Sequence, residues 1–197
     1  MAGFVHRRDE IEPSISSLNA YCDTKGYPHS IDDKGWLSGV WYCSTYRKGT
    51  LYGQYPSSFL PRVLALFPDL DGTRLLHCPS GIVTGPGVTV DIKSHAPGCP
   101  SILASVDALP FADGSFDLYL ADPPYSDKDS KKYGTKHFPF KKFMSEAHRV
   151  CSSGGYLGLL HLYPPPINRV FWRTRGIFAV VTGPNKRVRA FTLLRRV

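Results

Sequence analysis

The sequence lacks the features that mark membrane-spanning, secreted and disulfide-stabilised proteins. No apolar run approaches the roughly 20 residues that a membrane-spanning helix needs. The first nine residues carry charge and contain no apolar segment, so we expect no secretory signal. The five cysteines are odd in number, widely spaced and without a CxxC pair, which indicates reduced thiols in a cytoplasmic protein.

The chain does have the apolar content of one globular domain. Its 197 residues are 42% hydrophobic, which is enough to bury a core without cross-links and too much for a disordered polypeptide. Residues 1–50 are rich in Gly, Ser, Asp, Tyr and Trp and show little periodicity. We expect them to form an irregular N-terminal arm or small subdomain, with the main domain over residues 51–197.

The charge is distributed unevenly along the chain. Residues 1–122 contain 9 Lys and Arg against 13 Asp and Glu, a balance of −4, whereas residues 123–197 contain 15 against 3, a balance of +12. This asymmetry predicts one face that meets a polyanion. Charge that serves only solubility explains the asymmetry equally well.

The regular part of the sequence reads as an α/β protein. A helix is expected from Ser57 or Ser58, either of which can cap it, through Phe67. Five short apolar runs follow, and continuous apolarity is typical of strands that are buried on both faces of a parallel sheet. The runs are Arg74–Cys78, Val88–Ile92, Ile102–Ser105, Phe116–Ala121 and Tyr156–Leu162.

The end of the chain adds one more helix and a hairpin. A helix over about Phe140–Cys151 precedes the fifth run, with Ser153-Gly154-Gly155 as its C-cap signal. Ile177–Thr182 and Val188–Leu194 flank a turn and predict an antiparallel hairpin.

The connections after the first and second runs are too short for helices. Each leaves 9 intervening residues, several of them Pro or Gly, whereas a parallel crossover usually needs about a dozen residues or more. We therefore expect reduced helical cover there. The N-terminal arm or a partner subunit, such as a second copy of the chain, would bury that part of the sheet.

The most informative residues follow the fourth run: Asp122, Pro123, Pro124 and Tyr125. In open α/β sheets, ligands bind beyond the carboxyl ends of the strands. Two consecutive prolines hold the backbone extended and carry no N–H. The Asp122 carboxylate and the Pro123 carbonyl can each accept an N–H, and Tyr125 can stack on a ring. The pattern predicts a site for a planar ring with an exocyclic amine; a plain Pro-rich turn is the alternative.

This tetrapeptide resembles the catalytic motif of the amino-methyltransferases, S-adenosylmethionine-dependent enzymes that methylate adenine N6, cytosine N4 or guanine N2. Other segments from about Tyr52 onwards resemble the family in the expected order. Asp91 matches the residue that binds the cofactor ribose, and Asp107 the one that contacts its adenine amine. The resemblance implies cofactor contacts from Gln54, Tyr55, Pro56, His77, Pro79, Ser80, Gly81, Asp91, Ile92, Asp107, Ala108 and Asp122.

The resemblance also implies a fold and a reaction. The fold is a Rossmann-like class I methyltransferase sheet, mostly parallel with a C-terminal antiparallel hairpin, and residues 51–197 are its catalytic domain. The reaction is methyl transfer from S-adenosylmethionine to adenine N6 in DNA, since Asp rather than Ser opens the tetrapeptide. An RNA base methyltransferase, acting on adenine N6 or guanine N2, is the second interpretation. A non-catalytic nucleic-acid-binding subunit is the third, although the intact Asp122 and Tyr125 argue against it.

Basic residues after the tetrapeptide fit a nucleic-acid substrate and a location in the cytoplasm or on the nucleoid. Phosphate contacts of this kind supply affinity rather than sequence choice. Candidates in the segment after Tyr125 are Lys128, Lys131, Lys132, Tyr133 and Lys136. A second basic region surrounds the terminal hairpin and comprises Arg169, Arg173, Arg175, Lys186, Arg187, Arg189, Arg195 and Arg196. A solvated loop and helix face is the alternative.

We expect no metal site. Cys22, His29 and Cys43, with His77 or Cys78 as further ligands, could in principle hold zinc, but their spacings match no regular zinc finger. Ordinary buried thiols are the preferred interpretation.

Overall fold

The computed structural model describes residues 10–22, 29–43, 55–95, 100–132, 137–182 and 187–197. Nine strands and four α-helices lie within these residues. In chain order they are α1 (Ile15–Cys22), β1 (Ser30–Ile31), β2 (Leu37–Cys43), α2 (Phe59–Leu66), β3 (Leu75–His77), β4 (Val88–Asp91), β5 (Ile102–Leu103), β6 (Phe116–Ala121), α3 (Asp127–Lys132), α4 (Phe140–Val150), β7 (Cys151–His161), β8 (Trp172–Thr182) and β9 (Arg187–Arg196).

The strands form one sheet in the order β1-β2-β8-β9-β7-β6-β3-β4-β5. Strands β2, β3, β4, β5, β6, β7 and β8 run in one direction, while β9 is antiparallel to both of its neighbours and β1 is antiparallel to β2. The predicted mostly parallel sheet with a C-terminal antiparallel hairpin is confirmed. All carboxyl ends of the parallel strands therefore lie on one edge, which we call the carboxyl edge.

Helices cover the two faces of the sheet unequally. Helices α1 and α2 pack on one face, where Leu18 and Val63 are buried with Leu75 and Phe178. Helix α4 packs on the other face through Phe143, Ala147 and Val150. Residues 78–87 contain no helix, and neither do the described residues between β4 and β5. The predicted reduction in helical cover is confirmed for these residues.

The N-terminal segment is more ordered than the sequence indicates. Strand β2 pairs in parallel with β8 from Leu37 opposite Gly176 to Cys43 opposite Thr182. Its Trp41 is fully buried and stacks on Phe178 with ring centroids 4.8 Å apart. The described part of residues 1–50 therefore belongs to the same sheet and core as the rest, and α1 packs against α2.

Helix α2 begins after Ser58 as predicted, but two predicted capping interactions are wrong. Ser58 occupies the N-cap position of α2, but its hydroxyl makes no capping bond; it donates to the Ser57 carbonyl and accepts from Arg62. Helix α4 ends at Val150, and the predicted C-cap glycines lie within β7. The pairing of β7 with β6 shifts register at this point, and Gly154 has φ +75. The Glu10 carboxyl occupies the space that a side chain at position 154 would need.

The strands of the second half extend beyond the predicted apolar runs. Pairing with Phe116 of β6 carries β7 back to Cys151, and pairing with β9 carries β8 back to Trp172. The longest described helix, α4, has 11 residues, and no described helix has the length and apolarity of a membrane span.

Candidate functional site

A pocket opens at the carboxyl edge, where β3, β4 and β6 end side by side. We call it the main pocket. Parallel neighbouring strands place the loops that follow them next to one another, which is why residues distant in sequence meet there. The pocket is lined by Tyr55, Pro79, Ser80, Gly81, Asp91, Ile92, Ser105, Val106, Asp122, Pro124, His137, Phe138 and Pro139.

Asp91 links the loop after β3 to the end of β4. The Gly81 N–H donates to Asp91 Oδ2 at 2.9 Å, and His95 Nε2 lies 3.1 Å from Asp91 Oδ1. Gly81 has φ +55, a conformation that glycine adopts without strain. The residue Asp91 is 6% exposed and faces the pocket. Small residues in the loop therefore allow a ligand to approach the backbone, with one carboxylate beside it.

His77 supports the pocket from behind and is not part of its lining. The residue is fully buried, its Nδ1 lies 3.3 Å from Tyr55 Oη, and its Nε2 lies 3.0 Å from the Pro86 carbonyl oxygen. Burial lowers the pKa of His77 to about 4, so the ring is neutral at pH 7. Its effect is to hold Tyr55, which does line the pocket.

The loop after β5 contributes Ser105 and Val106 to the lining. Asp107 is not part of that lining; it accepts a hydrogen bond from the Ser105 hydroxyl and lies 3.9 Å from Lys142 Nζ. The Ala108 N–H donates to the Ser105 carbonyl at 3.1 Å. Asp107 and Ala108 thus shape a tight turn whose neighbouring residues face the pocket.

Helix α4 anchors this loop by polar contacts. Glu146 Oε1 accepts the Leu109 N–H at 2.7 Å, while Arg149 donates to the Phe111 carbonyl at 2.7 Å and to the Leu109 carbonyl at 3.0 Å. Arg149 also pairs with Glu146 at 2.7 Å, which lowers the pKa of the Glu146 carboxyl. The loop is therefore held to a rigid helix.

Asp122, Tyr125 and Arg189 form a hydrogen-bonded group, which we call the carboxylate triad. The Tyr125 hydroxyl donates to Asp122 Oδ1 at 2.5 Å. Arg189 Nη1 donates to Asp122 Oδ2 at 3.1 Å and to Tyr125 Oη at 2.7 Å. The side chain of Arg189 is 8% exposed and that of Asp122 is 18% exposed. Because the triad is largely removed from water, the negative charge of Asp122 and the positive charge of Arg189 stabilise each other.

Burial and charge act in opposite directions on the triad. Burial raises the pKa of Asp122, while the Arg189 guanidinium and the Tyr125 hydroxyl oppose that rise. Burial and the Asp122 charge raise the pKa of Tyr125, so the phenol stays protonated and donates. The arrangement presents a carboxylate acceptor at the carboxyl end of β6.

The sequence pattern placed Arg189 in the second basic region and did not predict its contacts with Asp122 and Tyr125. The signal was present in β9, where Arg189, Phe191 and Leu193 alternate on one face. Phe191 and Leu193 are fully buried. An arginine in that register must face inwards as well.

A second pocket adjoins the main pocket on the far side of the tetrapeptide, and we call it the aromatic pocket. It shares Pro124, His137 and Phe138 with the main pocket. His161 packs edge-on against both Tyr125, at 5.1 Å between ring centroids, and Tyr163, at 4.8 Å. The remaining lining residues are Ser126, Ser130, Phe140, Pro165 and Pro166. Aromatic and proline rings thus make up most of the walls of this pocket.

The predicted nucleic-acid contacts fall into two groups. Lys128 and Lys131 are exposed on α3, and Lys132 ends that helix. Arg187 begins β9. The side chains of Lys132 and Arg187 lie outside the described residues, as do Gln54, Tyr133, Lys136 and Lys186 entirely.

The second basic region does not form one free surface. Arg195 pairs with Glu10 and, at 3.1 Å, with Glu12. Arg196 donates to the Cys151 carbonyl, and Arg189 lies within the carboxylate triad. These arginines stabilise the fold or the site.

The described residues contain no group of three or more His, Cys, Asp or Glu side chains placed to hold a metal ion. His29 Nδ1 lies 2.8 Å from Asn19 Oδ1, and its ring packs against Trp41 and Phe178. Cys43 is buried, which raises its pKa and keeps it a thiol.

Comparison with known proteins identifies the fold. No protein-family model and no curated protein matches this chain, whereas eleven chains of solved structures do. TrmN from Thermus thermophilus is 19% identical with a TM-score of 0.51, and the match covers 75% of this chain and 51% of TrmN. This chain thus spans about half the length of TrmN. It has a Rossmann-like methyltransferase fold.

Two further matches are more distant. A SAM dependent methyltransferase from Aquifex aeolicus is 11% identical, with a TM-score of 0.44 over 65% of this chain and 84% of its own. Geranyl diphosphate C-methyltransferase from Streptomyces coelicolor A3(2) is 12% identical, with a TM-score of 0.34 over 74% of this chain and 64% of its own.

Proposed function

We propose that this protein is an S-adenosylmethionine-dependent methyltransferase that modifies an exocyclic amine of a nucleobase, namely adenine N6 in DNA. One observation carries the proposal. The Asp122–Tyr125 tetrapeptide stands between two adjoining pockets, which share Pro124, His137 and Phe138. One pocket has a glycine-containing loop and a carboxylate at a strand end; the other has aromatic walls. A donor and a planar acceptor can therefore meet at Asp122.

The main pocket suits the cofactor. Asp91 stands at the end of β4, where an acidic side chain can accept hydrogen bonds from a ribose diol. Pro79, Ser80 and Gly81 allow close approach of the ligand to the backbone. Ser105 and Val106 would flank the adenine ring. Tyr55 would contact the methionine part, from the wall beside α2.

The residues around Asp122 supply the chemistry of the acceptor. When bound, S-adenosylmethionine supplies a methyl group on a positively charged sulfur, and transfer to the amine leaves S-adenosylhomocysteine and a proton. The Asp122 carboxylate and the Pro123 carbonyl would each accept a hydrogen bond from one N–H of the amine, which localises the nitrogen lone pair. The carboxylate also stabilises the positive charge that develops on nitrogen. Holding both reactants in line adds the proximity contribution.

The aromatic pocket would receive the base. In a duplex the target base must leave the stack, and aromatic side chains replace the stacking that the base gives up. Tyr125 and His161 offer such surfaces. For the ring of Tyr125 to lie flat on the base, its hydroxyl must move away from Asp122.

Nucleoside mass spectrometry tests the proposal directly. DNA and RNA are each incubated with the protein and S-adenosylmethionine carrying a trideuterated methyl group, then digested to nucleosides. We expect trideuterated N6-methyl-2′-deoxyadenosine from DNA, and none from heat-denatured protein. Label in RNA would assign the RNA substrate instead. No labelled nucleoside from either polymer would overturn the proposed activity.

Replacing Asp91 with alanine is expected to weaken cofactor binding by about tenfold or more, because a hydrogen bond to a charged group contributes about 1.5–3 kcal/mol. Isothermal titration with S-adenosylhomocysteine measures the effect. Asp91→Asn retains an oxygen for the Gly81 N–H and separates loop support from ribose binding. Asp69→Ala, in an exposed turn, is the control. Equal affinity in wild-type protein and Asp91→Ala would contradict this role.

Removing Lys128 and Lys131 together is expected to weaken nucleic-acid binding and flatten its salt dependence. On duplex DNA, the slope of log affinity against log salt changes by about 0.9 for each phosphate that the protein no longer neutralises, so a change near 1.8 is expected. Fluorescence anisotropy at several salt concentrations measures it. The control replaces exposed Lys34, which lies outside both basic regions and far from α3 in the chain. An unchanged slope would show that α3 makes no phosphate contact.

A further inference from the structure

Arg189 occupies an unusual position for an arginine near a nucleic-acid site. It lies on β9 opposite Val180 of β8, on the same face as buried Phe191. Its residue exposure is 7%, so its guanidinium is not displayed as a surface phosphate contact would be. Instead, Nη1 contacts both Asp122 and Tyr125.

We infer that Arg189 is a positioning residue, which keeps the Asp122 carboxylate ionised and oriented so that it can accept the substrate amine. The inference rests on the proposed function, because it assigns Arg189 a part in that same reaction. Arg189 acts through Asp122 and does not touch the transferred methyl group.

The electrostatic reason lies in the burial of Asp122. Removing a carboxylate from water favours its neutral form, and an adjacent arginine restores the charged form. Burial raises the pKa of Asp122, and Arg189 opposes that rise most strongly, followed by Tyr125. The main pocket also brings Tyr55, Asp91 and His137 to the same cavity. Without Arg189, the carboxyl group would bind a proton at a higher pH.

Protonation would remove the function that the reaction needs. A carboxylate has about four acceptor sites, whereas a carboxylic acid donates through one of its oxygens. Arg189 and Tyr125 each occupy one site, on different oxygens of Asp122. Acceptor capacity therefore remains for an amine N–H. Arg189, held within β9, can keep its contact when the Tyr125 ring turns to meet a base.

The test compares Arg189→Met with wild-type protein in the trideuteromethyl assay across pH 6 to 9. An arginine beside a carboxylate lowers its pKa by about 1–3 units, so we expect the pH range over which kcat is lost to extend about 1–3 units higher in Arg189→Met than in wild-type protein. The loss should shrink as pH rises, because deprotonation restores the acceptor. KM for nucleic acid and affinity for S-adenosylhomocysteine should stay within about twofold.

Two variants and a control separate this role from a structural one. Arg189→Lys keeps the positive charge and should retain more activity than Arg189→Met with a nearly wild-type pH profile. Arg189→Gln keeps a donor without charge and should show the same loss at low pH as Arg189→Met, even if the methionine variant folds poorly. Lys34→Met removes an exposed positive charge that lies outside both basic regions and should change nothing. Circular dichroism checks folding.

A measurement that needs no turnover tests the inference by itself. Carbon-13 NMR of aspartate-labelled protein, with Asp122→Asn to assign the signal, follows ionisation of the Asp122 carboxyl. In Arg189→Gln the carboxyl should ionise at a higher pH than in wild-type protein. Identical titrations would overturn the inference, as would a raised KM with unchanged kcat. Absence of labelled nucleoside from wild-type protein would instead refute the proposed function and leave the titration to decide Arg189.

Discussion

Replacing Asp122 with alanine is expected to lower the rate of methyl transfer by roughly a hundredfold to a thousandfold, as removal of one electrostatic stabilising group does in other enzymes. Alanine removes the acceptor for the amine and the negative charge that faces the developing positive charge. It also leaves Arg189 without its carboxylate partner. Single-turnover kinetics with the labelled cofactor measure the loss at the chemical step.

Variants of Tyr125 extend the same prediction. Tyr125→Ala removes the ring that would stack on the base and should lower transfer to a similar degree, while affinity for S-adenosylhomocysteine survives. Tyr125→Phe keeps the ring and loses only the hydroxyl that donates to Asp122. We therefore expect Tyr125→Phe to retain far more activity than Tyr125→Ala.

The control for both positions is Asp69→Ala, because Asp69 is an exposed carboxylate in the turn that precedes β3, at the opposite edge of the sheet. It should turn over at the wild-type rate. Wild-type turnover in either Asp122→Ala or Tyr125→Ala would refute the assignment of the tetrapeptide as the catalytic motif.

Replacing Trp41 with alanine is expected to destabilise the whole domain by about 3–5 kcal/mol, the usual cost of truncating a large buried aromatic side chain. Trp41 is fully buried and contacts the rings of Phe59, Phe178 and Phe191, at centroid distances of 5.7, 4.8 and 5.3 Å. Its loss opens a cavity between α2 and the sheet. Urea unfolding, followed by circular dichroism, measures the free energy of unfolding.

Trp36→Ala is the matched control, since Trp36 is 38% exposed in the same N-terminal segment. We expect it to change the free energy of unfolding by well under 1 kcal/mol, as is usual for surface substitutions. A small loss in Trp41→Ala, or a separate unfolding transition for the N-terminal segment, would contradict its place in the common core.

The sequence predicted the central strands well because burial on both faces leaves a continuous apolar run. The predicted bounds of β6 match the structure, and α4 begins at the predicted residue. Strand β2 escaped detection because Ser38 and Gly39 interrupt its apolar residues and turn-forming residues precede it. Its pairing partner, β8, lies far along the chain, and only tertiary packing joins the two.

The candidate site likewise contains residues that the sequence located correctly and one that it misplaced. Asp122, Asp91 and the loop around Gly81 were located from sequence, because each follows an apolar strand and the carboxyl ends of parallel strands meet at one edge. His77 was placed in the pocket lining by its position in that loop, yet it lies behind Tyr55. Side chains along a strand alternate between the two faces of the sheet. Strand β3 has only three residues, which are too few for the sequence pattern to show which face His77 takes.

Local sequence thus determined where the carboxylate and the phenol of the proposed site lie, since Asp122 and Tyr125 directly follow a buried strand and so stand at the carboxyl edge. The tertiary structure decided which charge accompanies that carboxylate. Arg189 reaches Asp122 because β9 folds back antiparallel and lies between β8 and β7. Strand order and register are properties of the whole sheet, so no short stretch of residues encodes that contact.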